Sequence, residues 1–177
     1  MTLMALGDPG HFVHGQAAIR NLASIGPGGG GGVFAATFHN TNPDIIILGQ
    51  DIGGIDKSDD GGRNWRHVNA TGFVQTDSNL DAFMIDELVA HPTNNDRFFA
   101  CSQGGMYRSD DVGETWERLI PPPGVPSFGV AWIAFSPLDP ALGLVGTGGW
   151  HEPDTGQGIY QTTDGGTTFT KIEETGI

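Results

Sequence analysis

An eight-residue pattern occurs three times in this chain and limits its fold more than any other feature. The stretches "KSDDGGRNW" (57–65), "RSDDVGETW" (108–116) and "QTTDGGTTF" (161–169) share the form Ser/Thr-x-Asp-x-Gly-x-Thr/Asn-aromatic. The anchors are Ser58, Asp60, Gly62, Asn64 and Trp65, then Ser109, Asp111, Gly113, Thr115 and Trp116. The third copy supplies Thr162, Asp164, Gly166, Thr168 and Phe169. Counted from the hydroxyl residue, the copies begin 51 and then 53 residues apart. Near-constant spacing of this kind marks stacked structural repeats.

The flanks repeat as well. Each copy is preceded by an apolar segment ending in a turn ("VFAATFHNTNPD", "IDELVAHPTNND", "VAWIAFSPLDPA") and then a second apolar segment ("IIILGQDI", "RFFACSQ", "LGLVGTGG"). A short third segment enters the motif and a fourth leaves it as "NWRHV", "TWERL" or "TFTKI". Four short β segments in about fifty residues is the period of a β-propeller blade. The expected fold is therefore all-β, with three four-stranded antiparallel blades at about 33–84, 85–129 and 130–177 behind a glycine-rich lead segment, 1–32.

The acidic pairs and glycines of the motif suggest a calcium loop, but the count fails. A loop opening at Asp56 needs a bidentate Glu at its twelfth position, which is His67, and its first ligand becomes Tyr107 and Tyr160 in the other copies. A turn fits better: the carboxylate and hydroxyl bond backbone groups while Gly takes a positive φ. The pattern resembles the Asp box of the bacterial neuraminidase repeat. That resemblance implies a hairpin turn between the third and fourth strands of each blade, with Asp60, Asp111 and Asp164 structural. Trp65, Trp116 and Phe169 are then expected to be largely buried.

A second resemblance covers roughly residues 25 to 55. "IGPGGGGGVFAATFHNTNPDIIILGQDIGG" resembles the N-terminal segment of the glycoside hydrolase family 74 xyloglucanases, with its glycine run, first blade strand, turn, and second strand ending in Thr-Asp-Ile-Gly-Gly. The family's fold is a pair of seven-bladed propellers with the substrate cleft between them. The resemblance implies that Asp51, in "GQDIGG", is a catalytic general acid or base; Gln50 stands where the family has Thr and Gly49 where it has Arg. The equivalent stretch of the second repeat reads "CSQGG", so an acid at this point is not required by every blade. Glycosidic cleavage needs two carboxylates. In the family the second belongs to the other propeller, and no segment here resembles that region.

Other features carry less. "GTGGWHEPDTGQG" lengthens the third repeat and offers Trp150, His151 and Glu152, with Asp154, as a sugar-stacking platform with polar partners. His11 and His14 have metal-compatible spacing without a third ligand, and no metal or cofactor is expected. Cys101 lies in an apolar run and reads as an inert buried thiol. A net charge of -13 with only 8 Lys and Arg argues against a nucleic-acid groove. No apolar run reaches the ~20 residues of a membrane span. The N-terminus lacks the basic region of a signal peptide, whereas the family resemblance implies an extracellular or periplasmic setting.

Three blades do not close a ring of 4–8. Additional blades, copies of the chain or another protein are expected to complete it, with "GQAAIRNLAS" as a segment that covers an edge. The functional expectation is part of a carbohydrate-active propeller, a β-glucan or xyloglucan endo-hydrolase acting through two carboxylates and inactive as this chain alone. The alternative is a non-catalytic propeller serving as a protein- or glycan-recognition and assembly surface.

Overall fold

The computed structural model describes residues 31–68, 84–120, 128–148 and 157–173. Among them lie twelve strands and no helix. The first sheet holds β1 (Val33–Phe38), β2 (Ile46–Gln50), β3 (Ile55–Ser58) and β4 (Arg66–His67). The second holds β5 (Ile85–Ala90), β6 (Phe98–Ser102), β7 (Gly105–Ser109) and β8 (Glu117–Ile120). The third holds β9 (Val130–Phe135), β10 (Gly143–Thr147), β11 (Ile159–Thr162) and β12 (Thr170–Lys171). Each is a four-stranded antiparallel meander in chain order. The fold is all-β. The segment "GQAAIRNLAS", His11, His14 and the loop bearing Trp150, His151, Glu152 and Asp154 lie outside the described residues.

The sheets stack face to face, which explains why β6 is apolar without alternation. Side chains alternate between the two faces of a strand, and both faces of β6 are covered. Phe98 and Ala100 join Ile47, Ile55, Leu88, Tyr107 and Trp116 between the first and second sheets. Phe99 and Cys101 join Met106, Val130, Ile133 and Val145 between the second and third. Burying one such large side chain stabilises by about 1.5–3 kcal/mol. Burial also pushes the Cys101 thiol well up, with Glu87 and Asp86 adding to it, so it stays protonated.

Polar contacts also bridge the sheets. Lys57 Nζ lies 2.7 Å from Glu114 Oε1 of the second sheet, and Arg66 pairs with the same carboxylate. From the second sheet, Arg108 donates to the carbonyls of Gly166 (3.0 Å) and Thr167 (3.1 Å), and Arg97 to that of Gly165 (2.8 Å). Four of the eight cations, scattered in sequence, thus gather at the junctions.

The three motif turns are built alike. Ser58 Oγ donates to Asp60 Oδ1 (2.9 Å) and accepts from Gly62 N (2.8 Å), while Asp60 Oδ1 accepts from Asn64 N at 2.8 Å. Ser109, Asp111, Gly113 and Thr115 repeat these bonds at 2.7, 2.8 and 2.8 Å. Thr162, Asp164, Gly166 and Thr168 do so at 2.8, 2.9 and 2.9 Å. Gly62, Gly113 and Gly166 all have φ near +80° (84, 81 and 77°), a region open to Gly at no steric cost.

The expectation for the aromatics needs correction. Trp116 is 4% exposed, but Trp65 and Phe169 are only half-buried. Trp116 packs toward the first sheet, and no described sheet lies on the corresponding side of Trp65. Phe169 does meet Phe99 edge-on, with centroids 6.4 Å apart. Both partly exposed rings precede fourth strands of two residues, against four behind Trp116, so less backbone covers their outer edges.

Candidate functional site

The site is the rim of the sheets beyond the ends of the second strands. Asp51 directly follows β2, and its N–H donates to Gly32 O at 2.9 Å, tying the lead segment to the loop. Gln50 N donates to Gly54 O at 2.9 Å, closing the turn toward β3. Gly31 has φ +99°, and a Cβ on it would sit 2.9 Å from Asp51 Cβ and 3.0 Å from Oδ2. At Gly31, then, the glycine run has a steric reason: a larger residue would displace the carboxylate. Asp51 is half-buried, with Ile52 exposed beside it.

Gln50 marks how this loop differs from its counterparts. In the other sheets the last strand residue is a hydroxyl that seals its own turn. Ser102 Oγ donates to Gly105 O (3.0 Å), and Thr147 Oγ1 donates to Gly158 O (2.9 Å). Gln50 instead reaches inward, donating to the buried Asp56 carboxylate, whose other oxygen lies 3.1 Å from His67 Nδ1. The loop that carries Asp51 is held from below by a polar chain.

A second carboxylate stands on the same rim and was missed by sequence reasoning. Pairing runs Ile85↔Ser102 and then Glu87↔Cys101, so Asp86 is the extra residue of a β-bulge. Phe34 occupies the same place in the first sheet, between Val33↔Gln50 and Ala35↔Gly49, and Ala131 in the third. Bulges break the alternation of faces and re-aim a side chain. The Asp86 carboxylate accepts from the amide of Gln103, the residue equivalent to Asp51. Burial raises its pKa, and the nearby Asp51 charge adds to the rise. Glu87 is also raised by burial, although it accepts from Ile133 N at 2.7 Å. The recurrence of the bulge after each lead-in turn is visible only once the register is known.

The rim therefore combines an acceptor carboxylate (Asp51), a carboxyl that keeps its proton to higher pH than usual (Asp86) and an exposed ring, Phe34, 56% accessible. A Cβ at Gly32 would lie 3.0 Å from that ring, so the two glycines leave room for the Asp51 carboxylate and for the Phe34 ring in turn. An apolar face with a few convergent polar groups is what a carbohydrate site requires. By contrast, the carboxylates of Asp60, Asp111 and Asp164 are occupied by their own turns.

No family model matches the chain. It is similar to the xyloglucanase Xgh74A of Acetivibrio thermocellus, 28% identical over 163 aligned positions, with 82% of this chain and 18% of that protein covered. A xyloglucanase of Paenibacillus sp is 30% identical over 170 residues, 80% of this chain and 16% of its own length. Among solved structures, an ancestral GH74 enzyme matches with a TM-score of 0.64 at 18% identity, over 82% of this chain and 18% of that one. YCF48 from Cyanidioschyzon merolae gives 0.57 at 18% identity, over 82% and 41%. These structural likenesses establish the three sheets as β-propeller blades. The chain spans less than a fifth of the length of the curated relatives it matches.

Proposed function

We propose, from the similarity to xyloglucanases over four fifths of the chain, that these blades belong to a carbohydrate-active propeller directed at a xyloglucan-type β-glucan. The observation that carries the reading within this chain is the close approach of Gly31 to Asp51, on the rim that also bears the exposed Phe34. A sugar ring laid on Phe34 presents hydroxyls to the acids of the rim, and Asp51 accepts from one of them. In the complete protein Asp51 is one of the two carboxylates that glycoside cleavage needs, serving as general acid or base. The second comes from outside this chain, so the chain binds a β-glucan without cleaving it. The Asp boxes hold the blades and take no part.

Electrophoresis of the chain through gels with and without xyloglucan tests this. Retardation by the polysaccharide is expected for the wild type, and Asp51→Asn should weaken it about tenfold, the loss of a charge-assisted hydrogen bond. Asp60→Asn should lower the melting temperature and leave retardation of the folded fraction intact. Absence of retardation by any β-glucan would turn the reading toward a protein-recognition or assembly surface.

A further inference from the structure

The sheet that carries Asp51 departs from the other two at three linked positions. Register places Gln50 with Ser102 and Thr147 at the end of the second strand. It places Asp56 with Tyr107 and Tyr160 on the third strand, and His67 with Arg118 and Lys171 opposite them on the fourth. A hydroxyl, a tyrosine and a cation recur in two sheets, and all three are exchanged in the first. The exchanged residues also meet one another. The Gln50 amide donates to one oxygen of Asp56, and His67 Nδ1 lies 3.1 Å from the other. An ionised carboxylate only accepts, so His67 Nδ1 carries the proton.

The loop above this chain of bonds shows what it holds. Ser102 and its register equivalent Gln50 each end a second strand, and Gly105 and Gly54 are equivalent on the far side of the turn. Two residues, Gln103 and Gly104, separate the first pair, and Ser102 Oγ fills the turn by accepting from Gly104 N (3.1 Å) and donating to Gly105 O (3.0 Å). Three residues, Asp51, Ile52 and Gly53, separate Gln50 from Gly54. Here the Gln50 amide lies inside the longer loop. A Cβ on Gly53 would collide with Gln50 Oε1 and sit 3.1 Å from Gln50 Cβ. Gln50 and Asp56 are both buried, so water does not compete for the bond between them.

We infer that Gln50, Asp56 and His67 are positioning residues, which fix the Asp51 loop and so aim its carboxylate at a ligand on the rim. Asp51 follows Gln50 directly, so a shift of the Gln50 side chain turns the backbone that bears the carboxylate. The aim toward a β-glucan rests on the reading proposed above; the holding of the loop does not.

Amide hydrogen exchange and xyloglucan affinity, both measured on the full chain, test it. Gln50→Met keeps the length of the side chain and removes its donor. Exchange of the Gln50 and Asp51 N–H groups, which bond Gly54 O and Gly32 O, should quicken about tenfold or more, while the amides of β6 stay protected. Affinity for xyloglucan should fall about tenfold. Joining Gln50→Glu to Asp56→Asn exchanges donor and acceptor: the asparagine amide then donates to the glutamate, and its oxygen still accepts from His67. This double variant should recover both slow exchange and affinity. Unchanged exchange in Gln50→Met, exchange quickened equally through every strand of the first sheet, or a double variant as fast as Gln50→Met would each overturn the inference. Faster exchange with full affinity would overturn it too, since the loop would then be held without bearing on the ligand. Exchange is read without sugar, so a wild-type chain that binds no xyloglucan would count against the glycan reading while the loop's holding is still decided.

Discussion

The two ends of the same sheets obey opposite rules. At the outer end, three turns repeat one hydrogen-bond scheme to within about 0.2 Å, although their residues vary between Ser and Thr, Asn and Thr, Trp and Phe. At the rim, equivalent positions hold Asp51 and Gln103, and the bulge holds Phe34, Asp86 and Ala131. Identical bonding with varied residues indicates a requirement of the backbone. Varied chemistry on an identical backbone indicates a surface free to specialise. An acid in the first setting bonds its own turn; an acid in the second is the kind proposed above to meet a ligand.

The largest effect should come from the outer end. Trp116→Ala removes a ring from the core between two sheets and should cost about 3–5 kcal/mol in chemical denaturation. Trp65→Ala, at the same motif position but half-buried, should cost clearly less. Equal costs would mean that the first sheet's leading face is as well covered as the second's.

Asp111→Ala should follow at about 1–3 kcal/mol, since it leaves the Thr115 and Glu114 amides without their acceptor. The same bonds predict an acid transition. In Asp60 the backbone and side chain of Asn64 lower the pKa to about 2. In Asp164 burial works upward, but the bonds from Thr168, Thr162 and Thr167 outweigh it and bring it to about 2. A carboxyl depressed below its unfolded value of about 3.9 contributes stability above that pH and loses it as pH falls through 2. Melting temperatures should therefore fall between about pH 4 and 2, and Asp60→Asn should flatten part of that slope. His91 adds a separate, milder window. Burial and Arg97 lower its pKa, so its share is present above about 6.5 and declines as pH falls below.

This contrast also sets what could be read from the sequence. The motif was legible because its bonds run within eight residues, so each copy carries its full chemistry locally. Strand count followed from the same period. Asp86 was not legible: it lies in "MIDELVA", and nothing there marks the bulge that turns it toward the rim. Lys57 and Glu114 are 57 residues apart, and only stacking brings them to 2.7 Å. Trp65 and Trp116 share one motif position, yet burial differs because it depends on the neighbouring sheet and not on the motif.

The smallest effect probes the one place where the outer turns depart from their shared design. The first and third motifs have paired glycines, and both members adopt positive φ: 72 and 84° for Gly61 and Gly62, 70 and 77° for Gly165 and Gly166. The second has Val112 at φ 60°, the one non-glycine with positive φ among the described residues. A left-handed conformation costs an L-residue about 1–2 kcal/mol, and a β-branched chain is the worst case. The turn accepts this because the other bonds over-determine it and because Val112 packs on the cluster between the first two sheets. Val112→Gly removes the strain and the packing together, and glycine's freer unfolded chain takes back roughly a further 0.4–1 kcal/mol. The net change should fall within about 1 kcal/mol of zero, whereas Gly61→Val, introducing the same strain without a neighbouring sheet to pack on, should destabilise by more. Denaturation midpoints of the two variants compare the turns directly, and a Val112→Gly loss as large as that of Trp116→Ala would show that packing, not the hydrogen-bond scheme, holds the second turn in place.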